Sequence, residues 1–256
     1  MLTLPVIDLK NKVSAQEWQL RVDLAACYRL IALHGWDDLI YTHVSVRIPN
    51  TEHVLINAFG LRFDEITASN LVKVDMDGNI VDVDSPFDFN PAGFTIHSAI
   101  HEVRHDALCA LHVHSNEAIA VASLEQGLLP ISQYSMFALA SLSYHDYEGL
   151  AVNDDEKLRI QQDLGDTNFM LLRNHGAITL GSTIGDAFMH MYDLIRACQI
   201  QVQVMSTGMK PILVDQSIVD GIKAQANVVH TGSTGGQKAW PAMLRRVYKE
   251  DPSFAL

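Results

Sequence analysis

Residues 90–115 read NPAGFTIHSAIHEVRHDALCALHVHS, and the order of the elements in this stretch decides the fold. Apolar residues at helical intervals predict a helix over 94–104. The short apolar run 107–113 predicts a buried strand, and the helical period returns over 116–124. A strand flanked closely by helices needs a layered α/β architecture, because each helix must bury one face against the sheet. The strand ends in His112-Val113-His114. A period of two points both imidazoles to one face and Val113 to the other.

The same alternation extends outward in both directions. Downstream, the pattern predicts a strand over 142–147, a helix after the cap-like Asn153-Asp154-Asp155, strands over 168–173 and 177–180, and a long helix over 183–207. Gly208 and Pro211 end that helix. A further helix is expected over 214–229, a mobile loop over 230–238 (HTGSTGGQK) and a short helix over 239–248. Upstream, Ser14 and Glu17 have capping-box spacing before a helix over 18–33 that His34-Gly35 closes. Strands over 40–48 and 53–57 flank the turn Pro49-Asn50-Thr51-Glu52, and 71–83 is split by Asp77-Gly78, so two antiparallel hairpins are expected. Neither a repeat nor a shift in composition marks a boundary, so residues 1–256 read as a single α/β domain with a largely antiparallel sheet.

Composition narrows the function. Eighteen Lys and Arg against thirty Asp and Glu give a formal net charge of −12, which disfavours a nucleic-acid partner. Cys27, Cys109 and Cys198 are odd in number and each lies among apolar residues, as core thiols do in a reducing compartment. No apolar run reaches the roughly 20 residues of a membrane span, and the start MLTLPVIDLKNK lacks a signal-peptide pattern, so a cytoplasmic protein with no membrane contact is expected.

The histidines carry the chemistry. Arg173-Asn174-His175-Gly176 follows another apolar strand, and Gly176 allows a turn that would bring a third imidazole to His112 and His114. Three histidines leave a coordination position open, which a catalytic zinc or similar ion needs in order to polarise a substrate oxygen. Taken alone, an H-x-H pair is more often two hydrogen-bonded strand histidines than a metal site. His97, His101 and His105 recur every four residues, and a polar helical stripe is the simpler reading for the last two. His34, His53, His145, His190 and His230 lack a partner at ligand spacing and read as surface or capping residues; His43 stays undecided.

The stretches GWDDLIYTHVSVRIP (35–49), LINAFGLRFDEITASNLVKVDMDGNIVD (55–82), the segment 90–115 quoted above, GLLPISQY (127–134), YHDYEG (144–149) and RNHGAITLG (173–181) resemble, in order, the class II aldolase and adducin family, and most closely its adducin-like branch. The resemblance implies a three-layer α/β/α sandwich with a mainly antiparallel central sheet. It also implies a divalent ion, usually Zn2+, on His112, His114 and His175, and a cyclic homotetramer with active sites between subunits.

The resemblance also marks departures. Aldolases of this family carry a proton-transferring Glu four residues before the position of His97, where this chain has Gly93. Glycine exchanges no proton, so the usual aldol mechanism loses its acid and base. The family's phosphate-binding pairs correspond here to Thr42-His43, Phe59-Gly60 and Ala92-Gly93, which points away from a phosphorylated sugar. His43, Arg62 and Gly93 are therefore expected to bind a small, non-phosphorylated substrate. Tyr134 matches an aldolase tyrosine that hands a proton into a neighbouring subunit's site, and Glu117 is the reserve acid. Two functions follow from this. One is a metal-dependent lyase that cleaves or decarboxylates a hydroxy- or oxo-acid through a metal-stabilised enediolate. The other is an inactive adducin-like scaffold that keeps the fold and metal, although the long tails through which adducins work are not expected here.

Overall fold

The computed structural model of the chain describes residues 5, 7–82, 85–149, 154–229 and 236–256. The first helix, α1 (Ala15–His34), starts where the sequence places it: Ser14 Oγ accepts from Glu17 N at 3.1 Å, and Gly35 closes the helix with φ +68°. The reciprocal half of the expected capping box is not made. The carboxylate of Glu17 turns instead to Arg21 Nε (2.9 Å) and Lys73 Nζ (3.1 Å), because charged donors compete better for it than a solvated backbone N–H.

Among the described residues, seven strands form one sheet: β1 (His43–Arg47), β2 (His53–Ile56), β3 (Val72–Asp75), β4 (Cys109–Val113), β5 (Leu142–His145), β6 (Phe169–Leu172) and β7 (Gly176–Gly181). Their order is β3-β2-β1-β4-β7-β6-β5. Every ladder is antiparallel except β5 with β6, where α5 (Asp154–Leu164) carries the chain back to the same end as a parallel crossover requires. The sheet is thus mixed and mainly antiparallel.

Strand alternation splits the core in two. Val44, Val46, Leu111, Val113, Phe169, Leu171 and Ala177 face one layer, built from α1, α3 (Asn116–Ala122), α4 (Gln133–Leu139), α6 (Ile184–Ser206) and α8 (Gly236–Glu250). Ala110, Met170, Leu172, Ile178 and Leu180 face the other, where Ile96, Ala99 and Ile100 of α2 (Pro91–Val103) and Ile160 and Leu164 of α5 cover them. Helices on both faces make the expected three-layer α/β/α sandwich. No helix among the described residues is long and apolar enough to cross a membrane.

Two local expectations are corrected, and one helix was not anticipated. The second hairpin reduces to β3 and one bridge from Val74 to Ile80, because the Asp75 carboxylate takes the N–H groups of Asp77 and Asn79 and curls the chain there. Helix α4, capped by Ser132, is only seven residues long, too short for periodicity to reveal. Gly236, Gln237 and Lys238 belong to α8 and not to a loop; the rest of that loop, 230–235, lies outside the described residues. The helix expected over 214–229 is present as α7 (Gln216–Val229).

One buried hydroxyl fixes the start of β1. Tyr28, on α1 and fully buried, accepts at Oη from Val44 N (2.8 Å) and Asn57 N (3.1 Å) and also lies 2.9 Å from Asn57 Oδ1. A phenylalanine would leave two buried N–H donors without that acceptor. Tyr28→Phe is therefore expected to lower unfolding free energy by about 2–4 kcal/mol in urea titration, with no change in the helix signal of the folded state.

Candidate metal centre

The antiparallel register sets His43 of β1 directly beside His112 of β4, and β4 in turn pairs with β7, which begins at Gly176. His175 leads into β7 from Asn174, whose φ of +58° is the left-handed conformation that asparagine tolerates. Gly176 is required by space. A Cβ on it would lie 2.6 Å from Val113 O and 3.1–3.2 Å from the rings of His114 and His112. The chain therefore passes close enough for His175 to meet the other two.

The three imidazoles converge through their Nε2 atoms. His112 Nε2 lies 3.0 Å from His114 Nε2, and His114 Nε2 lies 3.0 Å from His175 Nε2. The remaining ring nitrogens show which tautomer is present. His112 Nδ1 is 3.1 Å from Ala177 O, and His114 Nδ1 is 2.9 Å from Asp38 Oδ2. Both acceptors require Nδ1–H, so in the neutral rings both Nε2 atoms carry lone pairs. Two lone pairs opposed at 3.0 Å repel unless a cation sits between them. A tetrahedral zinc with bonds of about 2.05 Å would hold its nitrogens ~3.3 Å apart, close to this spacing. The donor set thus fits a divalent ion, with Asp38 as the outer carboxylate that orients a ligand histidine.

Protonation favours the same arrangement. Burial first, and then the neighbouring imidazoles, hold His112 well below the usual histidine range. Burial, then His114 and His145, bring His175 down to about 4. Neutral lone pairs are therefore available at pH 7.

A cavity of about 320 Å³ opens over the three histidines, with Asp38, His43, Gly93 and Tyr147 in its wall. His43 is buried, and its pKa is held well below the ordinary value by burial and by the surrounding histidines. Its ring fills the space above Gly93, where a Cβ would come within 2.3 Å of His43 Cδ2 and Nε2. The other expected site residues are not brought to this cavity within one chain. Arg62 pairs with Asp64 and lines a separate cavity of about 540 Å³ together with Arg29, Asp37 and Asp251. Half-buried Tyr134 packs against Tyr192, and Glu117 accepts from Ser115 Oγ at 2.8 Å.

Sequence reasoning missed Asp38, whose only sequence signal was an acidic pair beside Trp36, and misplaced three histidines. His145 is buried, with Asp163 at 2.7 Å; His190 is buried against Leu180 O at 2.6 Å. His101 is fully buried beneath β1, not on a surface stripe, whereas His105 is exposed as expected.

Comparison with known proteins gives a consistent picture. Residues 22–202 match the family described as Class II Aldolase and Adducin N-terminal domain. A Pseudomonas aeruginosa protein, whose name places it with the class 2 aldolases without giving a substrate, is 55% identical over 249 residues, which is 96% of each chain. Alpha-adducin of Rattus norvegicus is 44% identical over 214 residues, covering 81% of this chain and 29% of the adducin. The solved L-fuculose 1-phosphate aldolase of Glaciozyma antarctica superposes with a TM-score of 0.80 at 25% identity, covering 97% of this chain and 96% of that one.

The buried histidines near the centre also set the acid limit of the fold. Burial brings both His97 and His101 down to about 3, whereas unfolded histidines titrate near 6.5. Between those values the unfolded chain binds more protons, so stability is full above about pH 6.5 and falls as pH drops. Lowering pH from 7 to 5 is expected to cost metal-free protein about 4 kcal/mol from these two rings, read from urea midpoints across pH.

Proposed function

The chain belongs to the class II aldolase and adducin family, and from that premise we propose that it is a divalent-metal-dependent lyase acting on a small, non-phosphorylated hydroxy- or oxo-acid. The observation that carries this reading is the pair of Nε2 lone pairs opposed at 3.0 Å beneath an open cavity, an arrangement suited to a cation with a free coordination position. The ion, proposed to be zinc, supplies when bound the Lewis acidity that stabilises negative charge developing on substrate oxygens.

The chain's own residues do the rest. His112, His114 and His175 hold the ion, and Asp38 fixes the orientation of His114. His43 offers the substrate a polar contact from the cavity wall. Position 93 contributes no proton-transfer group, which suits a decarboxylation better than a retro-aldol cleavage, whose hydroxyl must first lose a proton: carbon dioxide can leave where a base would otherwise take a proton. The lack of phosphate donors supports an unphosphorylated acid. Thr42, Ala92 and Gly93 provide one hydroxyl between them, and that hydroxyl is buried. Tyr134 and Arg62, absent from the cavity of their own chain, are proposed to complete a neighbour's cavity in a cytoplasmic homotetramer, with Tyr134 delivering the proton to the carbanion. Glu117 is the reserve acid.

Identity to alpha-adducin, together with the bare Gly93, favours a second reading, a catalytically inactive member that keeps the metal site for binding or stability. His112→Ala separates the two. The lyase reading expects the variant to fold and assemble as the wild type does, to lose bound metal by elemental analysis, and to lose the release of carbon dioxide or aldehyde seen when wild type is screened with small hydroxy- and oxo-acids. A variant that loses metal and unfolds, alongside a wild type that turns over none of them, would establish the ion as structural.

A further inference from the structure

Behind His43 runs a chain of buried polar groups that the metal centre does not use. On β1, alternate residues His43, Ser45 and Arg47 face α2, and His97 and His101 stand one helical turn apart opposite them. His43 Nδ1 lies 2.7 Å from His97 Nε2; His97 Nδ1 meets Ser45 Oγ; and Ser45 Oγ lies 2.7 Å from His101 Nε2. All five side chains are buried, beside the apolar cluster that α2 and α5 form over β4, β6 and β7.

Such a chain has two possible proton orders, and its far end selects one. Arg47 donates to the backbone oxygen of His101, and its positive charge faces that ring. Two buried atoms are left without a hydrogen-bond partner at this end: Arg47 Nε, a donor, and His101 Nδ1. An N–H on His101 Nδ1 would be a buried donor with no acceptor in the field of the Arg47 cation, whereas a lone pair there lies in a field that favours it. His101 is thereby Nε2–H and donates to Ser45. Ser45 then donates to His97 Nδ1, and His97 Nε2–H donates to His43 Nδ1. His43, neutral and accepting at Nδ1, must carry its own hydrogen on Nε2.

We propose that the Arg47–His101–Ser45–His97 chain fixes the tautomer of His43 so that its Nε2–H is a permanent hydrogen-bond donor in the cavity wall, aimed at an anionic oxygen of the substrate. Gly93 is part of the device, because any side chain there would occupy the volume of the Nε2 edge of the ring. The recognised chemistry is a carboxylate or a developing oxyanion, since a fixed donor is preorganised for negative charge and gives nothing to a cationic group. His43 touches the substrate; Ser45, His97, His101 and Arg47 are positioning residues. The substrate contact rests on the lyase reading, but the proton order does not.

Neutron diffraction from deuterium-exchanged crystals of the full chain at pH 7 tests that order directly. Deuterons are expected on Nε2 of His43, His97 and His101 and on Nδ1 of none of them; a deuteron on His43 Nδ1 overturns the proposal, whether or not the protein binds metal. Calorimetric titration of zinc-loaded protein with oxalate tests the use of the donor. His43→Phe, normalised to bound zinc, is expected to weaken oxalate about tenfold, the loss of one hydrogen bond to a charged group. Ser45→Ala should weaken it in part, and Ser45→Thr, which keeps the hydroxyl, should restore it. Unchanged oxalate affinity in His43→Phe overturns the substrate contact. Failure of the wild type to take up zinc defeats the lyase reading, while the neutron result still decides the proton order.

Discussion

Opposed lone pairs on His112 and His114 are the constraint around which the rest of the site is arranged. Each ring has its Nδ1–H committed elsewhere, to the Ala177 carbonyl and the Asp38 carboxylate, so neither can turn to relieve the contact. Such a pair is unfavourable in the bare protein and becomes favourable with a cation. The cost is met by the sheet. His112 is locked in register between β1 and β7, and Gly176 lets His175 approach without a clash. Central strands with both faces covered are where a fold best tolerates strain of this kind, because the neighbouring ladders do not yield.

The layer between β1 and α2 is the polar counterpart of that arrangement. Elsewhere on this face of the sheet, Ala110, Met170, Ile178 and Leu180 meet apolar helical residues. Along β1 the same alternation presents His43, Ser45 and Arg47 to His97 and His101, and a buried polar network is tolerable only where its members are mutually satisfied. The network reaches the metal cavity at one end and a guanidinium at the other. It makes the interior of the protein continuous, by hydrogen bonds, with the cavity wall at His43, and it gives the histidines buried on α2 their partners.

Much of this was legible in the sequence. Period-two spacing placed His112 and His114 on one face, and the Arg173-Asn174-His175-Gly176 turn supplied the third imidazole because glycine allows the close approach. The α/β class was readable from helices and strands alternating through 90–124, and the three-layer order from the family resemblance. What stayed hidden were contacts set by tertiary register. The ingredients of the buried chain were visible as two periods, every second residue on 43–47 and every fourth on 97–101. Their meeting depends on β1 lying beside β4 with α2 crossing above, which no local pattern encodes. Asp38 was missed for the same reason, since it lies 76 positions from the histidine it orients. Tyr134 was inferred by resemblance to assembled enzymes and Arg62 as a cationic group for a substrate anion, and a single chain brings neither to its own cavity.

The central claim is that three imidazoles present their Nε2 lone pairs to one divalent ion and leave a position open. X-ray absorption spectroscopy at the zinc edge, on protein reconstituted with one equivalent of zinc, measures this most directly. The account predicts three imidazole nitrogens at about 2.0 Å with at least one further oxygen from water, and no sulfur. Zinc that remains in its aqueous shell, or a site completed by a fourth protein ligand, would contradict it.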